Sequence, residues 1–214
     1  AVYPNAFVLD LDQRDDLAGL SDKLVSLGDI DHLIWITPEE SLSFFSSDSL
    51  IEDQNKGVLL LFGLIKALLG LGYGSRSLGW SVLTFSSQAV HYRADINPTH
   101  SSIHGLIGSM AKEYTNWNVR LVDLEDSASI AFEEIFHQPF NPQGDALLYR
   151  EGQWYGQELF PLTYNGGDDS VPYKDGGVYV VIGGAGGIGS VWSESMIRDY
   201  GAHIIWIGRR EEDA

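Results

Sequence analysis

The stretch from Val178 to Ala214 constrains the fold more than any other part of the chain. VYVVIGGAGGIGSVWSESMIRDYGAHIIWIGRREEDA reads as a strand, a glycine-rich turn, a helix and a second strand. VYVVI is β-branched and apolar on both faces, the pattern of a strand buried in a parallel sheet. Within the turn, Gly184, Gly186 and Gly189 satisfy GxGxxG. Glycines there permit a tight bend and let the backbone approach a pyrophosphate at the helix N-terminus, where free N–H groups and the helix dipole attract anions. Glycine-rich turns also occur as plain loops, but here strand, helix and second strand supply the context that the dinucleotide reading requires.

Such folds usually place an acid about twenty residues past the glycines, where it binds the adenosine ribose 2′-OH. Here the second strand, HIIWIG, ends in Arg209 and Arg210, with Glu211 and Glu212 directly after. Two guanidinium groups can hold a 2′-phosphate through charge-assisted hydrogen bonds, so NADPH is favoured over NADH. The expected cofactor-binding set is Gly183, Gly184, Ala185, Gly186, Gly187, Ile188, Gly189, Arg209 and Arg210.

Composition limits the partners. Thirteen basic and 30 acidic residues give a formal charge of −17, which argues against nucleic acid and anionic membrane, both of which need a basic footprint. The absence of cysteine excludes disulfides, thiolate chemistry and Cys-ligated metals. A 44% apolar content over 214 residues is enough for one large or two small domains. The longest apolar stretch, Val58 to Ile65, is interrupted at Lys66 and too short to span a membrane. The N-terminal AVYPNAFVLDL shows no initiator Met and no signal-peptide pattern, so the expectation is an excised, cytoplasmic piece.

From Ala6 to His137, strands and helices alternate, implying a parallel sheet with helices on both faces. Strands are expected at Ala6–Leu11, His32–Ile36, Trp80–Phe85 and Val119–Leu124. Helices are expected over Arg14–Leu27, Ile51–Leu71, Thr99–Tyr114 and Ser127–His137. Ala146 to Leu159 reads as a hairpin about Glu151-Gly152. The turns after the early strands, LDLDQRDD, WITPEES and FSSQAVHY, hold no glycine that would admit a pyrophosphate. The expected organisation is a degenerate Rossmann-like α/β unit over residues 1–162, a Gly/Asp/Ser/Pro linker over 163–176, and the first βαβ of an NADP-binding Rossmann fold over 177–214.

Three stretches carry a family resemblance: THSSIHGLIGSMAKEYTNWNVRLVDLE (Thr99 to Glu125), REGQWYGQEL (Arg150 to Leu159) and GVYVVIGGAGGIG (Gly177 to Gly189). They resemble ketoreductase domains of modular polyketide synthases, the first especially those of modules whose acyltransferase acts in trans. The family belongs to the short-chain dehydrogenase/reductase superfamily. The resemblance implies an N-terminal structural subdomain bracing an NADPH-binding catalytic subdomain. It also implies reduction of a β-ketoacyl thioester, tethered by phosphopantetheine to acyl carrier protein, to a β-hydroxyacyl thioester. The partners it implies are acyl carrier protein and the remainder of the ketoreductase catalytic subdomain. The superfamily turn TGxxxGxG is met at Gly183, Gly187 and Gly189, with Ile182 where Thr is usual. That exchange removes one turn-stabilising hydrogen bond, an effect of roughly 1 kcal/mol. The family's catalytic Ser, Tyr and Lys or Asn fall well downstream of the turn, so no residue here is assigned a catalytic role. The YxxxN pair Tyr114 and Asn118 precedes the turn and is read as a decoy.

Other constellations have plain readings. His100 and His104 stand one helical turn apart, a zinc-like spacing without a third ligand, and are read as packing or surface histidines. Asp123, Glu125 and Asp126 could attract Mg²⁺, but solvated acids with Asp126 or Ser127 capping the next helix explain them more simply. No metal site is expected. Trp154 and Tyr155 are read as covering a seam between the two halves, and Asp168 and Asp169 as part of a solvated linker.

Three functional readings stay open: part of a polyketide synthase ketoreductase, a structural or docking subdomain with a vestigial nucleotide motif, and a free nucleotide sensor. In the first, a sheet ending after its second strand leaves unpaired backbone groups, so the isolated piece is expected to associate or be unstable.

Overall fold

A computed structural model describes residues 6–12, 15–39, 47–91, 96–128, 132–162 and 173–209, with residues 47–50 described by their backbone alone. The chain forms two compact units, Ala1–Leu159 and Phe160–Ala214.

In the first unit, β1 (His32–Ile36), β2 (Leu78–Phe85), β3 (Trp117–Leu124) and β4 (Ala146–Arg150) run parallel in sequence order. β5 (Gln153–Gly156) closes the sheet antiparallel to β4. The helices are α1 (Leu17–Ser26), α2 (Ser47–Lys56), α3 (Val58–Gly70), α4 (Ser102–Glu113) and α5 (Phe132–His137). Side-chain alternation sorts the sheet into two faces. Leu78, Trp80 and Val82 of β2, with Trp117, Val119 and Leu121 of β3, pack against Leu20 and Leu24 of α1, Leu61, Leu64 and Leu68 of α3, and Ile103 and Ile107 of α4. Leu83, Val122 and Leu124 turn to the other face, where Ile135 of α5 covers them. This α/β unit with a mostly parallel five-stranded sheet matches the fold class expected from the sequence.

Four local expectations are corrected. Residues 6–12 form no strand: Leu9 and Leu11 pack on the core and Val8 is exposed, so the alternating pattern is met by packing without a backbone ladder. The stretch read as one helix over Ile51–Leu71 breaks at Gly57, whose φ of −103° and ψ of −110° leave the helical region, and a Cβ there would lie 2.5 Å from Nδ1 of His100, so the position is kept glycine. The helix expected to start near Ser127 is described from Phe132, and Asp126 Oδ1 instead accepts from Ala128 N at 2.9 Å in a local turn, with residues 129–131 outside the described set. The hairpin about Glu151-Gly152 forms as expected, with φ of +49° and +78° at the two turn residues.

The second unit is one parallel βαβ: β6 (Val178–Ile182), α6 (Gly187–Tyr200) and β7 (His203–Ile207), with Val181 opposite Trp206 and Ile182 opposite Ile207. Gly201, at φ +58°, ends α6 in a left-handed cap. The fourth correction lies here. VYVVI is not buried on both faces within its unit, because Val178, Val180 and Ile182, with Ile205 and Ile207, form an exposed apolar face. The sequence shows the need for cover on both sides, and α6 supplies it on one.

Candidate functional site

The turn after β6 is built by its glycines. Gly183 takes φ +78°, its N–H donates to Ile207 O at 2.7 Å, and Gly186 N donates back to Gly183 O at 2.9 Å. A Cβ on Gly189 would meet Gly183 O at 2.7 Å and Gly184 Cα at 2.8 Å, so helix and turn can approach this closely only without it. Nothing lies within 4 Å of the position a Gly187 Cβ would take, and Ile188 is exposed. α6 therefore starts at an open turn, with Gly186 as its N-cap and no side-chain cap. The first-turn N–H groups of a helix have no intrahelical partner, and here the first two residues of the turn, Gly187 and Ile188, are exposed at the C-terminal ends of two parallel strands.

Because Ile182 and Ile207 are in register, the turn that follows β6 and the Gly208-Arg209 segment that follows β7 emerge side by side. Thus Gly183, Gly184, Ala185, Gly186, Gly187, Ile188, Gly189 and the exposed Arg209 share one end of the unit; Arg210, Glu211 and Glu212 lie outside the described residues. Ile182, where a hydroxyl is usual, is the last residue of β6 and is 84% exposed. Two residues missed in the sequence support the turn. Trp206 Nε1 donates to Ser193 Oγ at 2.9 Å, and Ser193 Oγ donates to Gly189 O at 2.7 Å.

The corresponding strand ends of the first unit are filled by side chains. Asp123, fully buried, accepts from Thr84 Oγ1 at 2.6 Å, from Ser87 Oγ at 2.7 Å and from the backbone N–H groups of Ser87 and Gln88. Arg150 pairs with its Oδ2 and donates to Asp123 O at 2.7 Å and Gln88 O at 3.0 Å. Burial pushes the Asp123 carboxyl up, but the bonds from Thr84, Ser87 and Arg150 outweigh it and hold the group below the usual carboxylate range. Asp123 is thus no solvated acid, which corrects that expectation. Its parity with Val119 and Leu121, both inward-facing, was the available signal.

His104 sits on the same network, its Nε2 3.0 Å from Thr84 Oγ1 and 2.8 Å from Ser87 Oγ, its Nδ1 2.7 Å from Gln88 Nε2. Burial lowers its pKa, Asp123 opposes and Arg150 adds to the shift. Ser, His and Asp are the residue types of a nucleophilic triad, but the connectivity differs. Both hydroxyls donate to the carboxylate, so His104 donates to them from Nε2 and takes no proton from Ser87. Beside it, a cavity of about 170 Å³ lined by Gln88, His104, Gly108, Lys112 and Gln143 is smaller than the roughly 300 Å³ at which small-molecule pockets begin.

The remaining sequence candidates separate. His100 is buried against Gly57 on the α2–α3 break and shares no partner with His104. Tyr114 stacks on Trp117 at 4.9 Å, while Asn118 lies on the opposite face of β3. Trp154 packs on Tyr149 and Tyr155 on the main core, both inside the first unit. Asp168 and Asp169 fall outside the described residues. Among the described residues no group of three or more His, Asp or Glu side chains could hold a metal ion.

Comparison with known proteins agrees with the fold. No protein-family model matches the chain. It is 45% identical to polyketide synthase PksM and 40% identical to polyketide synthase PksN, both of Bacillus subtilis (strain 168), in each case over 99% of the chain. The chain spans only 5% and 4% of the lengths of those two proteins. Among solved structures, a keto acid-selecting NRPS module with adenylation, ketoreductase and pseudo Asub domains superposes with a TM-score of 0.70 at 21% identity, covering 94% of this chain and 17% of that one. A C2-type ketoreductase from a modular polyketide synthase gives 0.57 at 16% identity, covering 92% and 42%. The fold is that of solved ketoreductase domains. In sequence, the chain is similar to a short stretch of polyketide synthases.

Proposed function

We propose that the chain is the bracing unit and the cofactor-phosphate end of a polyketide synthase ketoreductase. The observation that carries this is the uncapped N-terminus of α6, opened by Gly183–Gly189 and flanked by Arg209 at the end of the adjacent strand. Backbone N–H groups at Gly187, Ile188 and Gly189 hold the pyrophosphate of NADPH, and Arg209 with Arg210 holds the 2′-phosphate. NADPH supplies the hydride. In the complete domain, a β-ketoacyl group on the phosphopantetheine arm of acyl carrier protein becomes the β-hydroxyacyl thioester, hydride adding to carbon and a proton to oxygen. The proton donor comes from the remainder of the catalytic subdomain. The first unit, with its strand ends filled by the Asp123 network, braces and binds no nucleotide. No helix among the described residues is long and apolar enough to cross a membrane, in keeping with a cytoplasmic synthase.

Titration of NADPH and NADH, followed by Trp fluorescence, tests the reading. Arg209→Ala combined with Arg210→Ala is expected to weaken NADPH binding about 10-fold or more and leave NADH unchanged. Equal affinity for the two cofactors, untouched by these substitutions, would overturn it. Ile182 in place of Thr favours the competing reading, a non-catalytic structural or docking subdomain with a vestigial turn. Absence of saturable NADPH binding in the complete synthase domain would establish that reading instead.

A further inference from the structure

Resting on that reading, we infer that Trp206 and Ser193 are positioning residues that hold the phosphate-binding turn in shape. Trp206 lies on β7 opposite Val181, on the face that α6 covers. Its indole ring rests on Gly184 so closely that a Cβ there would overlap Cδ1, Cγ and Nε1 of the ring. On the other side of the turn, Gly189 of α6 is pressed against Gly183 O and Gly184 Cα. Gly184 is thus clamped between an indole and the first turn of the helix.

One side chain ties the two jaws together. Ser193, buried, donates from Oγ to Gly189 O one turn back and accepts from Trp206 Nε1. A serine bonded to its i−4 carbonyl tends to bend a helix. Here the indole N–H fixes that hydroxyl, and with it the carbonyl of the third helical residue. The N–H groups proposed to meet the pyrophosphate belong to this same turn, Gly187 to Gly189. A misplacement of about 1 Å in such a cradle can cost on the order of 100-fold in function. Gly184 therefore serves two ends: it lets the backbone bend, and it seats Trp206.

Three variants of the complete ketoreductase test the clamp: Ser193→Ala, Trp206→Phe, which keeps the ring and drops the N–H, and the double variant. The expected result is a rise of about 3–10-fold in the NADPH dissociation constant and KM for each single change. The double variant should do no worse than either, and kcat at saturating NADPH should be unchanged. Amide hydrogen exchange supplies a readout that needs no ligand: exchange at Gly184–Gly189 should quicken several-fold in both variants while the C-terminal half of α6 keeps its protection. Additive effects, or unchanged affinity together with unchanged exchange at the turn, would overturn the inference. If the parent protein binds no NADPH, the proposed function fails, and the exchange comparison still decides the clamp. If it binds NADPH and responds to the arginine changes but not to these, the clamp alone fails.

Discussion

The strands at the centre of the first unit and those of the second are built from the same kind of residues and end in opposite conditions. β2 and β3, LGWSVLTF and WNVRLVDL, are buried along nearly their whole length, with α3 and α4 on one face and α5 on the other. β6 and β7, VYVVI and HIIWI, are at least as apolar, yet Val178, Val180, Ile182, Ile205 and Ile207 remain exposed. Apolarity on both faces states that a strand needs cover twice over, and the cover itself comes from other elements. The strand ends differ too. In the first unit Asp123, Thr84, Ser87 and Arg150 occupy the place where parallel sheets bind ligands, while in the second that place is an exposed glycine turn. One unit is closed by its own side chains, and the other leaves an apolar face and a glycine turn exposed.

The largest test of that contrast removes Asp123. Asp123→Ala leaves the partly buried Arg150 without its carboxylate and the buried Thr84 and Ser87 hydroxyls without their acceptor, and should lower unfolding stability by about 3–5 kcal/mol, measured by denaturant titration. Val180→Ser, on the open face, should change it by no more than about 0.5 kcal/mol at protein concentrations low enough to keep the chain monomeric. Comparable losses from the two would mean that the open face is covered after all.

Glycine substitutions sharpen the same difference. Gly144 has φ +68°, and a Cβ there would come within 2.6 Å of Gly108 Cα on α4, a backbone contact that cannot rotate away. Gly144→Ala should destabilise by about 2–4 kcal/mol, from the left-handed strain and the overpacking together. Gly187→Ala meets nothing within 4 Å and should leave unfolding unchanged. Its expected effect is on NADPH, about 10-fold weaker binding, because the methyl group takes the space the pyrophosphate needs. Loss of fold from Gly187→Ala, or full binding with it, would contradict the open-turn geometry.

Legibility in the sequence followed the range of the interactions. The βαβ of the second unit and the Glu151-Gly152 hairpin were readable because local residues set them: glycines where φ is positive, and β-branched runs between them. The shift from polar EDQNK to apolar VLLLF at Gly57 was a legible sign of the break, but the packing that keeps the position glycine was hidden, because His100 is more than forty residues away. The Asp123 network was hidden for the same reason, since Thr84, Ser87 and Arg150 reach it from other elements. At the candidate site, the glycines and arginines announce themselves by spacing, whereas Ser193 and Trp206 become visible only once β7 is laid beside β6.

An exposed, β-branched face beside unpaired strand edges predicts self-association of the 214-residue chain. Val180→Lys together with Ile205→Lys should lower the association constant about 10-fold or more in sedimentation, since charge on such a face opposes pairing. A monomer before substitution would remove the premise.

The smallest expected effect is on pH dependence, and it belongs to the first unit. His104 has its pKa lowered by burial, with Arg150 adding to the shift and Asp123 opposing it, and His32 and His100 are lowered by burial as well. A histidine depressed in the folded state is neutral in both states above its unfolded value of about 6.5. Below that value the unfolded chain takes up the proton first, so stability falls with pH until the folded pKa is passed. Asp123 is depressed as well; its contribution is present above the unfolded carboxylate value of about 3.9 and is lost as pH falls below it. Two separate declines follow, one starting near neutrality and one in strong acid. His104→Gln should make the first shallower, with His32 and His100 keeping the rest, and leave the second, because the amide keeps a donor near Ser87 and cannot take up a proton. An unchanged slope between pH 6.5 and 5 would show that His104 is already solvated, and that the first unit is less closed than its buried strands indicate.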